Sequence, residues 1–415
     1  MAQGRDLLVN LGEGGASKMG HWQLNFNVTD FLRKFNSYSH ERIRQLDLHM
    51  EAFDRRVHIN TQIPGYAQIY NTVGGLLGSI VDKLKSKNSM FNNSYLMQAG
   101  SIYGDIKVGL PHEADYLLVL PRPSDNSKIT VTTIYSILKP ILMDSPDRTL
   151  FQQAFPLEFL GMKQHGSTGI CLFFKTVFQD GSAMGISVDL TPVYRIGPGD
   201  QVGIRGIMEN NASIFIGQTW DQLVHRGDIY VLIERRGIGD TGIVESNIMR
   251  MLPESYRQSF RVAKFLLQFN AIGEPSYWRD WSMKSGLSDL KITDFATYLG
   301  LYGLKCPIPS YLLRVCFLHL LIQTHGTQEA SQLHGGRLTL CLLHMMLYLH
   351  KTPERYIKHP IQNTIANVYG GFDPTLNQQI WDLTEKFESM SMDLNTLPLF
   401  NYTPQKYESL TQRPL

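Results

Sequence analysis

Cysteine is scarce in this sequence. Four cysteines occur among 415 residues, and no two of them have CxxC spacing. So few cysteines exclude a disulfide-stabilised scaffold, and the lack of close pairs gives no indication of a zinc cluster. Disulfide-poor chains are typical of reducing compartments. The sequence therefore predicts a cytoplasmic protein, and we expect no structural zinc.

Long apolar runs are also missing. The two longest, residues 311–323 and 338–349, are interrupted by Arg314, His319 and His344. Each is shorter than the roughly 20 residues that a membrane-spanning helix needs. The N-terminal sequence has no basic segment followed by an apolar one, so no signal peptide is predicted. We therefore expect no membrane partner.

Neither sign of charge is in large excess. The 39 Lys and Arg residues and the 37 Asp and Glu residues give a net charge of +2, so charge alone dictates no partner. Charged residues make up 18% of the chain and hydrophobic residues 43%. This composition excludes a disordered, collagen-like or coiled-coil chain and predicts a sizeable packed core. At about 150 residues per domain, the length suits one or two lobes.

Apolar periodicity is helical at both ends of the chain and strand-like between them. The clearest helix covers residues 66–87, where apolar side chains recur in steps of three and four. Its glycines, Gly74, Gly75 and Gly78, predict the close approach of another backbone. The other predicted helices cover residues 30–57, 256–269, 292–301, 311–323, 338–349 and 377–390. The predicted strands cover residues 116–120, 170–177, 185–196 and 229–233.

This order of elements favours the α+β class with two lobes. We expect an N-terminal lead-in and helix over residues 1–60 and a core containing the long helix over residues 61–250. A helical lobe would follow over residues 251–400, and residues 401–415 would form a tail.

One segment combines a Gly-Ser turn with two closely spaced acids. Gly100 and Ser101 are followed by Glu113 and Asp115, which are two residues apart on a predicted strand and so share one face. Asp189 lies on a later predicted strand. Neighbouring carboxylates repel one another unless a cation lies between them, and Mg²⁺ prefers such oxygen ligands. If the strands are adjacent, the three acids could hold two divalent cations, while the turn would bind a triphosphate.

Five motifs form a set along residues 60–390: Gly100-Ser101-x-Tyr103-x-x-x-Lys107, Pro111-x-Glu113-x-Asp115, Ser187-Val188-Asp189, Tyr256-Arg257-x-Ser259-Phe260 and Pro309-Ser310-Tyr311. Together they resemble the nucleotidyltransferase superfamily and, within it, cyclic GMP-AMP synthase and the cGAS-like receptors. The first three motifs are specific and the last two are looser. The resemblance implies a bilobal nucleotidyltransferase fold with a mixed β-sheet core, a long N-terminal spine helix and a C-terminal helical lobe.

The resemblance also implies roles for the matching positions. Glu113, Asp115 and Asp189 would be catalytic and would bind two Mg²⁺ or Mn²⁺ ions, with Asp189 helping to deprotonate a ribose hydroxyl. The remaining positions would contact nucleotide. Gly100 and Ser101 would bind the donor triphosphate, Arg257 and Ser259 would contact a base or phosphate, and Tyr311 would stack on a base. Ser310 and Lys291 would each contact a phosphate, although a solvated helix lysine is the simpler interpretation of Lys291.

The family's reaction joins two nucleoside triphosphates, ATP or GTP, into a cyclic dinucleotide that signals through a downstream receptor in innate immunity. Vertebrate members carry a zinc-binding insertion with clustered cysteines, and the absence of such a cluster here leaves the activator open between double-stranded RNA and DNA. Lys83, Lys85 and Lys87, at the end of the long helix, are the candidate nucleic-acid surface. Lysines at a helix C-terminus also complement its dipole, which is the structural alternative.

Two other functions remain as alternatives at this point. A member of the same fold could be catalytically silent and act as a scaffold, although such relatives usually lack part of the acid set. A nucleotidyltransferase could also make linear products. The GxGxxG match at residues 237–242 suggests a dinucleotide-binding turn, but no parallel strand is predicted after it, so a Gly-rich loop is the preferred interpretation.

Overall fold

The structure, a computed structural model, describes residues 9–10, 26–109, 111–122, 129–143, 157–177, 183–195, 230–234, 239–240, 242–269, 310–351, 356–360, 364–367 and 374–392. Its helices are α1 (Val28–Arg33), α2 (His40–Val57), α3 (Pro64–Lys87), α4 (Gly100–Tyr103), α5 (Val131–Met143), α6 (Gly242–Met251), α7 (Glu254–Phe269), α8 (Ser310–Thr324), α9 (Gln328–Gln332), α10 (Gly335–Lys351) and α11 (Pro374–Glu388). Its strands are β1 (Val9–Asn10), β2 (Tyr95–Ala99), β3 (Glu113–Leu120), β4 (Leu157–His165), β5 (Gly169–Val177), β6 (Ala183–Arg195), β7 (Tyr230–Leu232), β8 (Gly239–Asp240), β9 (Tyr356–Lys358) and β10 (Thr364–Asn367).

The fold is α+β, as predicted, and is mostly helical with one large mixed sheet. Five strands of that sheet follow the order β2-β3-β6-β5-β4, and β7 and β8 extend it from the far end of β6. Strands β3 and β6 run parallel, whereas the other pairs are antiparallel. A smaller sheet of order β1-β10-β9 lies apart from it.

Strand alternation gives the large sheet two different faces. On one face, even-numbered residues of β3 and β6, such as Tyr116, Leu118 and Val188, are buried in the core that also contains α3. On the other face are the odd-numbered residues, which include Glu113 and Asp115. We call this second face the site face. Its far end is closed by a smaller apolar cluster that includes residues of β2, β3 and β7.

Helix α3 confirms the prediction for residues 66–87 and begins two residues earlier, at Pro64. Pro64 suits the first turn because a helix has no intrahelical partner for the N–H groups there. Every apolar residue that defined the period is buried. The prediction that another backbone approaches these glycines is wrong among the described residues. A Cβ at Gly74 would lie 3.2 Å from the side-chain hydroxyl of Tyr116, whereas Gly75 and Gly78 meet no described atom within 4 Å.

A second core is built from helices. It combines Leu46, Met50 and Phe53 of α2 with apolar residues of α1, α7, α8, α10 and α11. Helix α2 therefore packs with the C-terminal helices, although it was predicted as part of a separate N-terminal segment. Helix α7 takes part in both cores, since Phe265 packs with the sheet and Phe260 with the helices.

Several element bounds differ from the predictions. The helix predicted over residues 30–57 is divided because Ser39 caps a new helix: its side chain accepts a hydrogen bond from the backbone N–H of Arg42. Strands β2 and β4 and helix α5 were not predicted. The predicted helix 292–301 and the predicted tail lie outside the described residues. Among the helices that the structure describes, none is both long and apolar enough to span a membrane.

Candidate metal and nucleotide site

The three acids predicted to converge do so on the site face of the sheet. Asp115 on β3 lies directly opposite Asp189 on the parallel strand β6, and Glu113 is two residues earlier on β3. One carboxylate oxygen from each acid lies within 4.8 Å of the others. Glu113 is buried, whereas Asp115 and Asp189 are half-buried. The arrangement follows from the parallel pairing of two strands whose paired residues, such as Asp115 and Asp189, are 74 positions apart in the chain.

The Gly-Ser turn lies against this group of acids. Strand β2 pairs with β3 so that Ala99 faces Asp115, and α4 begins at the next residue. Gly100 has a φ of +69°, and a Cβ there would lie 1.8 Å from the Asp115 Oδ2 atom. Only glycine fits this contact, because any side chain would displace the carboxylate. Ser101 follows it and is 6% exposed.

Lys107 forms an ion pair with Glu113. Its Nζ atom is 2.7 Å from Glu113 Oε2, and both side chains are almost fully buried. Burial alone would raise the pKa of Glu113, but the adjacent Lys107 ammonium and the hydrogen bond from it outweigh that effect and lower the pKa below its usual range. Glu113 is therefore charged in the folded protein and has a fixed orientation.

A second lysine, Lys264 of α7, lies near the same acids. It is 4% exposed, and its Nζ atom donates a hydrogen bond to the Ile106 carbonyl oxygen at 3.3 Å. Burial, with repulsion from Lys107, lowers its pKa to about 7, although attraction to Glu113 acts in the opposite direction. The sequence reasoning missed Lys264. Its place in an apolar helical run was the available signal, because a buried lysine needs a special environment.

These residues fit hard divalent cations. Three carboxylates supply the oxygen ligands that Mg²⁺ and Mn²⁺ prefer, and two of them are partly open to solvent. Carboxylates held this close repel one another, and a cation between them relieves that repulsion. Glu113, Asp115 and Asp189 are the residues that would hold such ions.

Arg257, a predicted base or phosphate contact, belongs to a different charged group centred on Arg261. The Arg257 guanidinium pairs with Glu254, lies 3.4 Å from the Asp105 carboxylate and donates a 2.8 Å hydrogen bond to the Arg250 carbonyl oxygen. Its side chain is 19% exposed. A nucleotide would therefore compete with these protein contacts for Arg257.

Ser259, the neighbouring predicted contact, is fully buried. Its hydroxyl donates hydrogen bonds to the Ser255 carbonyl oxygen at 2.7 Å and to the Gly335 carbonyl oxygen at 2.8 Å. The bond to Gly335 joins α7 to the start of α10, whereas the bond to Ser255 lies within α7. The structure thus gives Ser259 a packing contact and does not bring it to the carboxylates.

The remaining predicted nucleotide contacts are at the start of α8 or outside the described residues. Ser310 is the first residue of α8 and is half-buried. Tyr311 stacks on His359, with ring centroids 5.8 Å apart and planes inclined by 19°. A base that stacked on that side of Tyr311 would have to replace the imidazole. Lys291 lies outside the described residues.

The predicted nucleic-acid lysines are at the C-terminal end of α3. Lys87 is exposed, whereas Lys83 and Lys85 are half-buried, and Lys85 pairs with Asp82 at 3.2 Å. Two histidines of a further basic stretch of the sequence, His350 and His359, are each 1% exposed, so they offer no accessible surface to a nucleic acid.

The GxGxxG segment contains no dinucleotide-binding unit in its described part. Strands β7 and β8 on either side of residue 237 pair antiparallel, and α6 begins at Gly242. A dinucleotide fold needs a parallel βαβ unit. The described geometry therefore agrees with the preferred sequence interpretation.

Comparison with known proteins adds no name to this geometry. No family model matches the chain, and no curated protein matches it significantly. Function must therefore be argued from the residues of the site.

Proposed function

We propose that this chain is a metal-dependent nucleotidyltransferase that joins two nucleoside triphosphates, ATP or GTP, into a cyclic dinucleotide. The single observation that carries the proposal is the convergence of Glu113, Asp115 and Asp189 beside the Gly100-Ser101 turn. The motif resemblance to cGAS-like receptors supports the cyclic product and activation by double-stranded nucleic acid in innate immune sensing. A cytoplasmic location fits that role.

Each group on the site face has a distinct part in this mechanism. Glu113, Asp115 and Asp189 would hold two Mg²⁺ or Mn²⁺ ions, which when bound neutralise negative charge on phosphate and ribose oxygens. The Lys107 ion pair keeps Glu113 ionised and oriented. Gly100 lets the backbone approach the carboxylates closely, so that the turn can bind a triphosphate next to them. Asp189, which is half-buried, is the residue that would accept the ribose hydroxyl proton.

Incubation of the full chain with the four nucleoside triphosphates and Mg²⁺ or Mn²⁺, with and without double-stranded RNA or DNA, tests the proposal. We expect a product that resists phosphatase, because a cyclic dinucleotide has no terminal phosphate. A linear product would lose phosphate, and a silent scaffold would leave the triphosphates unchanged. Either of those results would overturn the cyclic-product assignment.

Asp189→Asn tests the carboxylates directly. We expect product formation to fall at least about 100-fold, since loss of a metal ligand should exceed the 10–100-fold cost of losing an outer-shell partner. Mn²⁺ binding, followed by electron paramagnetic resonance, should weaken in parallel while the circular dichroism spectrum stays the same. Asp382→Asn, an exposed position on α11, is the matched control and should change neither. Wild-type turnover in Asp189→Asn would refute the role of Asp189.

A further inference from the structure

A second group of potential metal ligands lies on the site face, beside Asp189. His165, Cys171 and Asp189 each offer one ligand atom, and these atoms all lie within 4.8 Å of one another. They come from three adjacent strands, β4, β5 and β6. Cys171 faces Asp189 directly in the antiparallel register, and its thiol is hydrogen-bonded to the Asp189 carboxylate. Asp189 is thus shared between this group and the three acids.

The backbone around this group makes room for the imidazole. His165 pairs with Gly169, which carries no side chain, and Cys171 is the next residue on the same face of β5. The His165 ring can therefore extend over Gly169 toward the thiol. A Cβ at Gly169 would lie 2.9 Å from the Leu190 carbonyl oxygen, so a larger residue would disturb the pairing with β6.

We propose that His165, Cys171 and Asp189 bind one thiophilic divalent cation, of which zinc fits best. Imidazole nitrogen, thiolate sulfur and carboxylate oxygen are the three ligand types that zinc uses in proteins, and three protein ligands leave one position open. Mg²⁺ prefers oxygen ligands alone, so it would select the neighbouring acids instead. On binding, a zinc–sulfur bond replaces the S–H bond of Cys171 and the proton passes to solvent, with no change of oxidation state.

Zinc at this site would take up an oxygen of the Asp189 carboxylate, which the neighbouring acids also need in order to hold the hard cations. The two sites would therefore compete for Asp189. Zinc would therefore inhibit nucleotide joining by removing one ligand of the hard cations. This consequence rests on the proposed function, whereas zinc binding itself does not.

Cobalt titration of the full chain tests the binding, since Co²⁺ accepts zinc ligands and reports thiolate coordination in its near-ultraviolet charge-transfer absorption. We expect the band to saturate at one equivalent of Co²⁺ and to disappear when Zn²⁺ is added. Cys171→Ser should abolish the band, and His165→Gln should weaken Co²⁺ affinity at least about 10-fold. Cys341→Ala, in the helical core, and His325→Gln, on the surface, are the matched controls and should keep it.

Absence of the band in the wild-type chain, or a band of full intensity in Cys171→Ser, would overturn the proposal. His165 is half-buried and lies at the end of a hairpin. If Cys171→Ser fails to fold, the Co²⁺ affinity of His165→Gln therefore tests the proposal instead. Mn²⁺ resonance then tests the competition: one equivalent of Zn²⁺ should release bound Mn²⁺ from the wild type, whereas Cys171→Ser should need a higher Zn²⁺ concentration for the same release, because only the carboxylates are left to attract Zn²⁺. A cobalt band without any nucleotide product would refute the proposed function but would not contradict the proposed zinc site.

Discussion

The Arg261 group and the carboxylates of the site face differ in how their acids are used. In the group around Arg261, the guanidinium makes two 2.6 Å bonds to Asp54, lies 2.5 Å from Glu254 and donates to the Asp105 carbonyl oxygen. On the site face, Asp115 and Asp189 face each other across paired strands. The first group has its charges matched within the protein, which is typical of structure. The second brings like charges together, which is typical of a site that binds a cation.

The largest effect on stability should come from removing the guanidinium at the centre of the Arg261 group. Arg261 is fully buried, so Arg261→Met would leave the buried Asp54 carboxylate without this partner. We expect the free energy of unfolding to fall by about 3–5 kcal/mol, as is usual when one member of a buried pair is removed. Urea denaturation would measure it. A loss below about 1 kcal/mol, the size of a surface ion pair, would mean that the group is not structural.

On the site face, Gly100→Ala should move Asp115 instead of unfolding the protein. The added Cβ would overlap Asp115 Oδ2, and alanine also disfavours the left-handed φ, so we expect a loss of about 1 kcal/mol and at least about 10-fold weaker Mn²⁺ binding. Gly75→Ala, in open space on α3, is the control and should be neutral or stabilising. Unchanged Mn²⁺ affinity in Gly100→Ala would contradict the contact.

The lowered pKa of Lys264, near the acids of the site face, should make the stability of the protein depend on pH. Burial lowers its folded pKa to about 7, against 10.5 ordinarily, so from pH 7 upward the unfolded chain binds the proton that the folded protein has lost. The free energy of unfolding should therefore rise between about pH 7 and pH 10.5. Lys264→Met should flatten this rise and stabilise the protein at pH 7 by about 1 kcal/mol or more.

Denaturant unfolding of the apo protein at several pH values would measure the effect. The groups that face Lys264 electrostatically are Lys107, Arg314, Glu113 and Asp115, and the first two favour loss of its proton. The exposed Lys386→Met is the control and should keep the wild-type slope. An equal slope in Lys264→Met would show that Lys264 does not titrate in this range.

The smallest effect on stability is expected outside both groups, on α3. Lys83→Glu with Lys87→Glu should change the free energy of unfolding by no more than about 0.5 kcal/mol, as for most surface changes. Activation by double-stranded RNA or DNA should weaken and its salt dependence should become shallower, since phosphate contacts release counterions. The same activation curve across a salt titration would exclude this end of α3 as the binding surface.

Much of the site was accessible from sequence because its pattern is local. The acid-apolar-acid repeat at Glu113 and Asp115 indicates both a strand and a shared face, and Gly100 marks a turn that needs positive φ. The period of α3 likewise identified its buried side. Strands β2 and β4 were missed because β2 ends in the Gly-Ser turn and β4 mixes polar with apolar residues. Arg257 and Ser259 were assigned by motif alone, and a motif does not show which protein groups already contact a side chain.

The sequence by itself determined which face of each strand carries the acids, because side chains alternate along a strand whatever its neighbours are. Only the tertiary structure decided that β3 pairs with β6 in the register that places Asp115 opposite Asp189. The antiparallel pairing of β4, β5 and β6 likewise brought His165 and Cys171 to Asp189, although their spacing to Asp189 matches no local zinc motif. Strand order and register depend on the packing of a whole sheet, and no short stretch of sequence encodes that.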